Sequence, residues 1–112
     1  MPESRLPNID DLRSRLGGNR EAADALLDMF AKTAPAQIEA LRSADTAADA
    51  KQAKYVAHSL KGSLLWIGAN AAAEAARAVE AAVAEGATAD PAEAVDHLAT
   101  EVGLVVRAIT ER

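Results

Sequence analysis

The last twenty-odd residues constrain the fold most. Behind "DPAE", Val95, Leu98, Val102, Val105 and Ile109 recur at intervals of three and four without interruption, a helix with one apolar seam that must be buried against other helices. Asp90 stands where a helix cap should, Pro91 takes the first helical position, and Glu93 completes a capping box. The same spacing governs the rest of the chain, and no segment alternates as a strand would. Only 3% of the 112 residues are aromatic and much of the apolar content is alanine. Such a core is thin and is built by close approach of helices.

Five helices follow from the punctuation. A short first helix spans about 8–16, with Asn8 as cap, Asp10 and Asp11 at its positive end, and Gly17 and Gly18 closing it. The second spans about 20–44, capped by Asn19, with Leu26, Met29, Phe30, Thr33 and Leu41 on one side and Pro35 expected to bend or break it. The third, about 47–67, follows a capping pair at Thr46 and Asp49 and carries Ala53, Val56, Ala57, Leu60, Leu64 and Ile67 as its core stripe, ending at Gly68. A fourth, about 70–85, is capped by Asn70 and ended by Gly86, and the last covers about 91–111. Short connections make consecutive helices antiparallel. The expected fold is therefore all-α: an antiparallel up-down-up-down four-helix bundle with a short extra N-terminal helix, in a single domain over residues 1–112.

Composition removes several function classes. There is no cysteine, so thiolate metal sites, disulfides and cysteine nucleophiles are excluded. A net charge of −5, with the basic residues dispersed, disfavours nucleic acid and points to a protein partner. No apolar run approaches the ~20 residues of a membrane span, and the start lacks the pattern of a signal peptide; a cytoplasmic, monomeric protein without a membrane partner is expected. His97, in "VDHLAT", has no chemically suggestive company and reads as structural. A metal shared by His58 and His97 would need the third and last helices to bring them together.

The third helix holds the unusual group. In "AHSLKGSLLWIGA", His58, Lys61, Gly62 and Leu65 share one face, away from the core stripe, with Lys51 and Lys54 continuing it backwards. Glycine inside a helix costs about 1 kcal/mol relative to alanine, so Gly62 needs a reason. Side chains four apart are neighbours, and loss of the Cβ at 62 clears space beside His58 for another molecule. Lys61 brings a mobile positive charge to the same space. An imidazole, an ammonium and an open flank suit a histidine that accepts a phosphoryl group in line.

These residues resemble the signature of histidine-containing phosphotransfer (HPt) domains of bacterial multistep phosphorelays, in which the histidine is followed by Leu-Lys-Gly and, ten residues on, by Gly-Ala. The resemblance implies a phosphorelay intermediate, not an enzyme with ATP-binding machinery. It would carry a phosphoryl group between aspartates on the receiver domains of response regulators and of a hybrid histidine kinase. By position, it makes His58 the phosphoacceptor, Lys61 the phosphate-contacting cation, Gly62 the clearance residue and Gly68-Ala69 the closing turn, with Ser59 and Leu65 on or beside the docking surface. Lys51 and Lys54 read either as simple solvated charge or as a positive stripe that steers an acidic receiver onto the site. It implies no cofactor in this chain, Mg²⁺ belonging to the receiver. Leu64, Leu65 and Trp66 are bulkier than is common in the family; they either form a docking patch or fill the bundle. Two other readings stand beside it: a helical interaction module without phosphoryl chemistry, and the phosphoacceptor part of a sensor kinase, against which the missing acidic residue after the histidine counts.

Overall fold

The seam of the last helix is buried along its whole length: Val95, Leu98, Val102, Val105 and Ile109 are all inside. The computed structural model describes residues 6–43, 49–84 and 90–112. Five helices are present, α1 (Ile9–Arg15), α2 (Arg20–Ser43), α3 (Ala50–Trp66), α4 (Asn70–Ala82) and α5 (Pro91–Thr110), and no strand among the described residues. The last four form a ring in which α3 packs on α2 and α4, and α5 closes it against the same two.

Side-chain pairings give the directions. The start of α2 lies beside the end of α5 through Asp28 and Arg112, 2.9 Å apart, and the end of α2 lies beside the start of α5 through Arg42 and Asp96, 2.7 Å apart. Leu26 and Met29, early in α2, meet Trp66 and Ile67 at the end of α3. Neighbours in the ring are thus antiparallel, as short connections require.

The α3 stripe is buried as expected, at Ala53, Val56, Ala57, Leu60, Leu64 and Ile67. The α2 face is not the expected one. Phe30 and Leu41 are inside, but Leu26, Met29 and Thr33 are exposed, and the buried line is Ala23, Leu27, Phe30, Ala34, Ile38 and Leu41. Alanines at 23 and 34 face the core because a small side chain lets the backbones approach, whereas the sequence reading favoured the larger side chains. Pro35 does not break α2, which is continuous through it with the ring exposed.

The ends of the helices follow their capping residues with three corrections. Asn8 accepts from the Asp11 amide and Asn19 from the Ala22 amide, each at 3.0 Å, and Asp90 accepts from Ala92. Asp49 is itself the residue preceding α3 and makes no side-chain cap, while Thr46 lies outside the described residues. Asn70 is the first residue inside α4, with Ala69 at the cap position. The fourth helix closes at Ala82, earlier than expected, with Val83 as its cap; Gly86 lies outside the described residues.

The α3 helix ends in a Schellman turn. Gly68 adopts φ +78°, the Ala69 amide donates to Leu64 O and the Gly68 amide to Leu65 O. The carbonyls beyond are taken up by the N-terminal segment. The Asn8 amide donates to Ile67 O at 2.7 Å, and the Arg15 guanidinium donates to Trp66 O. Gly68 is needed here twice over, since a Cβ would also lie 3.0 Å from that of Asn8. The short first helix is therefore the lid on the end of α3. It is tied down in turn by Arg13, whose guanidinium donates to Asp24 on α2 at 3.0 Å.

Candidate functional site

His58 projects from the middle of α3 with its side chain 69% exposed. The core stripe of the helix turns the opposite way, so the same periodicity that buries Val56, Ala57 and Leu60 presents the imidazole to solvent. The helix α4 supplies what stands beside it. Glu80 places Oε2 at 3.5 Å from His58 Nδ1 and Oε1 at 2.9 Å from Lys61 Nζ. At 3.5 Å the first contact is within reach of charge but longer than a hydrogen bond. The second is a close pairing of charges without the direction of an aligned hydrogen bond. Glu80 is only 15% exposed and Lys61 25%, so one carboxylate, half sunk between α3 and α4, addresses both groups.

This arrangement alters the expected role of Lys61. Its ammonium is not a mobile charge leaning over the histidine but is held by Glu80. Nδ1 of His58 faces the carboxylate, which leaves Nε2 directed away from it. A carboxylate facing one ring nitrogen favours the proton there and leaves the other nitrogen with its lone pair.

Gly62 opens the flank one turn beyond. A Cβ built there meets nothing within 4 Å, so no internal contact of the fold demands glycine. Lys51 and Lys54 are exposed on preceding turns, Ser59 is half-buried, and Leu65 is exposed. The bulky triplet divides: Leu64 is fully buried, whereas Leu65 and Trp66 are each about half exposed. His97 is exposed on α5, diagonal to α3 in the ring, and does not meet His58; among the described residues no three histidines or carboxylates are grouped to hold a metal ion.

The sequence reading gave Glu80 no task. The signal lay in the register: a turn centred near residue 69 folds α4 back on α3, bringing Glu80 level with the stretch from His58 to Lys61. Arg15 was missed because nothing local links it to Trp66, although its guanidinium stacks 4.7 Å from the centre of that ring.

The site that the bundle presents is thus an exposed histidine flanked by a lysine–glutamate pair and an open glycine. The chain matches the Hpt domain family over residues 25–108, three quarters of its length, and it belongs to that family. Membership implies histidine phosphotransfer in phosphorelays, as a carrier that interacts with receiver domains. No match was found among curated proteins or among solved structures. No helix among the described residues is long and apolar enough to cross a membrane.

Proposed function

We propose that His58 is the phosphoacceptor of a phosphorelay intermediate that takes a phosphoryl group from the aspartyl phosphate of one receiver domain and passes it to the aspartate of another. The observation that carries this reading is the exposed imidazole of His58 with Nδ1 turned to Glu80 and the Gly62 flank open beside it.

In the forward step the Nε2 lone pair attacks phosphorus in line. The N–P bond forms, the P–O bond to the aspartyl carboxylate breaks, and the carboxylate leaves with the electron pair. The proton on Nδ1 stays, so the ring gains positive character as the bond forms, and the Glu80 carboxylate at 3.5 Å is placed to stabilise it. Lys61, held by the same carboxylate, keeps that corner from carrying a lone negative charge as phosphoryl oxygens approach. Gly62 admits the partner to within reacting distance. Any Mg²⁺ in the step belongs to the receiver and its acidic pocket, not to residues of this chain.

Incubation with a phosphorylated receiver domain tests the assignment. The wild-type chain is expected to acquire acid-labile phosphate and His58→Gln, with an unchanged far-ultraviolet dichroism spectrum, to acquire none. Equal labelling of the two would remove His58 from the reaction.

A further inference from the structure

Small side chains let α3 and α4 run close together: Ala53 and Ala57 on the first and Ala72, Ala73 and Ala76 on the second are all buried. Glu80, one turn beyond Ala76, reaches across that seam, and its carboxylate is only 15% exposed. Water compensates charge poorly there, so neighbouring charges act on one another more strongly than at an open surface. Among the described residues Glu80 is the only carboxylate paired with His58 or with Lys61. Its buried Oε1 has the Lys61 ammonium at 2.9 Å but no aligned hydrogen-bond donor. The lysine therefore does not use up the capacity of this carboxylate to accept from the ring.

Charge at the site is balanced before transfer, with one ammonium, one carboxylate and the neutral imidazole that attack on phosphorus requires. Arg77 and Glu74, earlier on α4, cancel each other at 3.3 Å. A phosphoryl group on Nε2 adds a charge of about −2. If the ring then sheds its Nδ1 proton to solvent, the cluster is left at about −2; if the proton stays, it is left at about −1. A carboxylate 3.5 Å from Nδ1 favours the second state, because the N–H that would be lost is the one it faces.

Where that proton resides decides how readily the phosphoryl group leaves again. In the return step an aspartate oxygen of the receiver attacks phosphorus, the O–P bond forms, the N–P bond breaks and its electron pair goes back to Nε2. With Nδ1 protonated the departing group is neutral imidazole. Without that proton it is imidazolate, a far poorer leaving group, and the step has to wait for a proton from solvent. Hydrolysis obeys the same rule: water attacks phosphorus, its proton passes to solvent, and phosphate departs from the ring. Glu80 is not placed to act as a base toward that water, since it faces Nδ1 and the phosphoryl group sits on the other nitrogen.

Resting on the phosphoacceptor reading of His58, we infer that Glu80 keeps the phosphorylated ring in its cationic form, with the proton on Nδ1, and so makes this chain a fast-discharging carrier and not a store of phosphoryl groups. Glu80 acts here through the ring and never touches the transferred group. An imidazole of ordinary basicity is only about one-tenth protonated at pH 7.5. Holding the proton in place therefore raises the fraction of phosphorylated chain ready to discharge by up to about tenfold.

The experiment phosphorylates the full chain with phosphoramidate, removes the donor, and follows the loss of acid-labile phosphate at pH 7.5 with no acceptor present. The phosphorylated Glu80→Gln variant is expected to outlast wild type by about threefold or more, with a ceiling of about tenfold. Glu74→Gln removes a carboxylate from the same helix that does not face the ring, and should leave the lifetime unchanged. Nitrogen-15 spectra of the phosphorylated wild type at pH 7.5 should show a cationic ring protonated on Nδ1, and those of phosphorylated Glu80→Gln a mainly neutral one. The wild-type spectrum decides the matter even if Glu80→Gln fails to fold. Equal lifetimes for wild type and Glu80→Gln, or a neutral ring in the phosphorylated wild type, would overturn the proposal. So would an equal lengthening by Glu74→Gln, which would make the effect one of diffuse charge and not of the Nδ1 contact. Equal acid-labile labelling of wild type and His58→Gln would instead strike the phosphoacceptor reading.

Discussion

Lys61 and Glu80, from adjacent helices, form a close ion pair of 2.9 Å in a setting only 25% and 15% exposed, and the second oxygen of that carboxylate looks at His58 Nδ1. Replacement of either partner therefore acts on the histidine as well as on the pair. Glu80→Gln keeps the shape and removes the charge; it should lower the rate of phosphotransfer about fivefold, in line with the ~1 kcal/mol of a charge contact outside hydrogen-bond range. Nitrogen-15 spectra should show a smaller fraction of His58 protonated on Nδ1 in this variant. An unchanged tautomer ratio would separate Glu80 from the histidine.

Lys61→Ala leaves the half-sunk Glu80 carboxylate without its cation. A loss of about 1 kcal/mol in unfolding stability is expected, and Glu80→Gln in the same chain should give part of it back. Urea denaturation of the two single variants and the double closes the cycle; strict additivity would show that the pair is not coupled.

Two helix-interior glycines allow a controlled comparison. A Cβ meets nothing within 4 Å at Gly62 or at Gly103 in α5, so alanine at either should stabilise the protein by about 1 kcal/mol, a rise of about 4 °C in Tm. Nothing in the structure explains Gly103. Gly62→Ala should nevertheless slow transfer from a receiver and Gly103→Ala should not, a difference read directly from transfer rates.

Core substitutions should follow burial. Leu98 is fully buried in the α5 seam, and Leu98→Ala is expected to cost about 2–5 kcal/mol. Ala71→Ser, at a half-buried position early in α4, should stay within about 0.5 kcal/mol. Denaturation midpoints of the two variants check the contrast.

Acid should loosen the attachment of α1. The Arg13 guanidinium, hydrogen-bonded to Asp24 at 3.0 Å, and the nearby Arg112 hold that carboxyl below its ordinary value of 3.8. A carboxyl lowered by folding contributes stability above its unfolded pKa, and that contribution disappears as the pH falls through the folded value. Wild type should thus be more stable than Asp24→Asn at pH 6, with the gap closing below pH ~4. A gap unchanged down to pH 2 would mean that the charge of Asp24 is immaterial.

What could be read from the sequence divides along physical lines. The α3 and α5 seams were legible because large aliphatic side chains repeat there at helical spacing, and His58, Lys61 and Gly62 because they lie within five consecutive residues. The buried face of α2 was misread, since hydrophobicity ranks Met29 above Ala34 whereas close helix packing favours the alanine. Glu80 and Arg15 owe their places to the inter-helix register and to a contact across the fold, neither of which a local pattern encodes. The bulky triplet required coordinates: Leu64 and Leu65 are chemically identical neighbours and differ only by the 100° that separates inside from outside.

The N-terminal segment that caps α3 sets the boundary at which this protein can be cut. The family match begins at residue 25, beyond both Asn8 and Arg15. A fragment trimmed to the match would keep every residue of the signature yet expose the carbonyls of Trp66 and Ile67 and release the Trp66 ring. The smallest piece recognisable as a family member is thus shorter than the smallest piece that holds its active helix in shape.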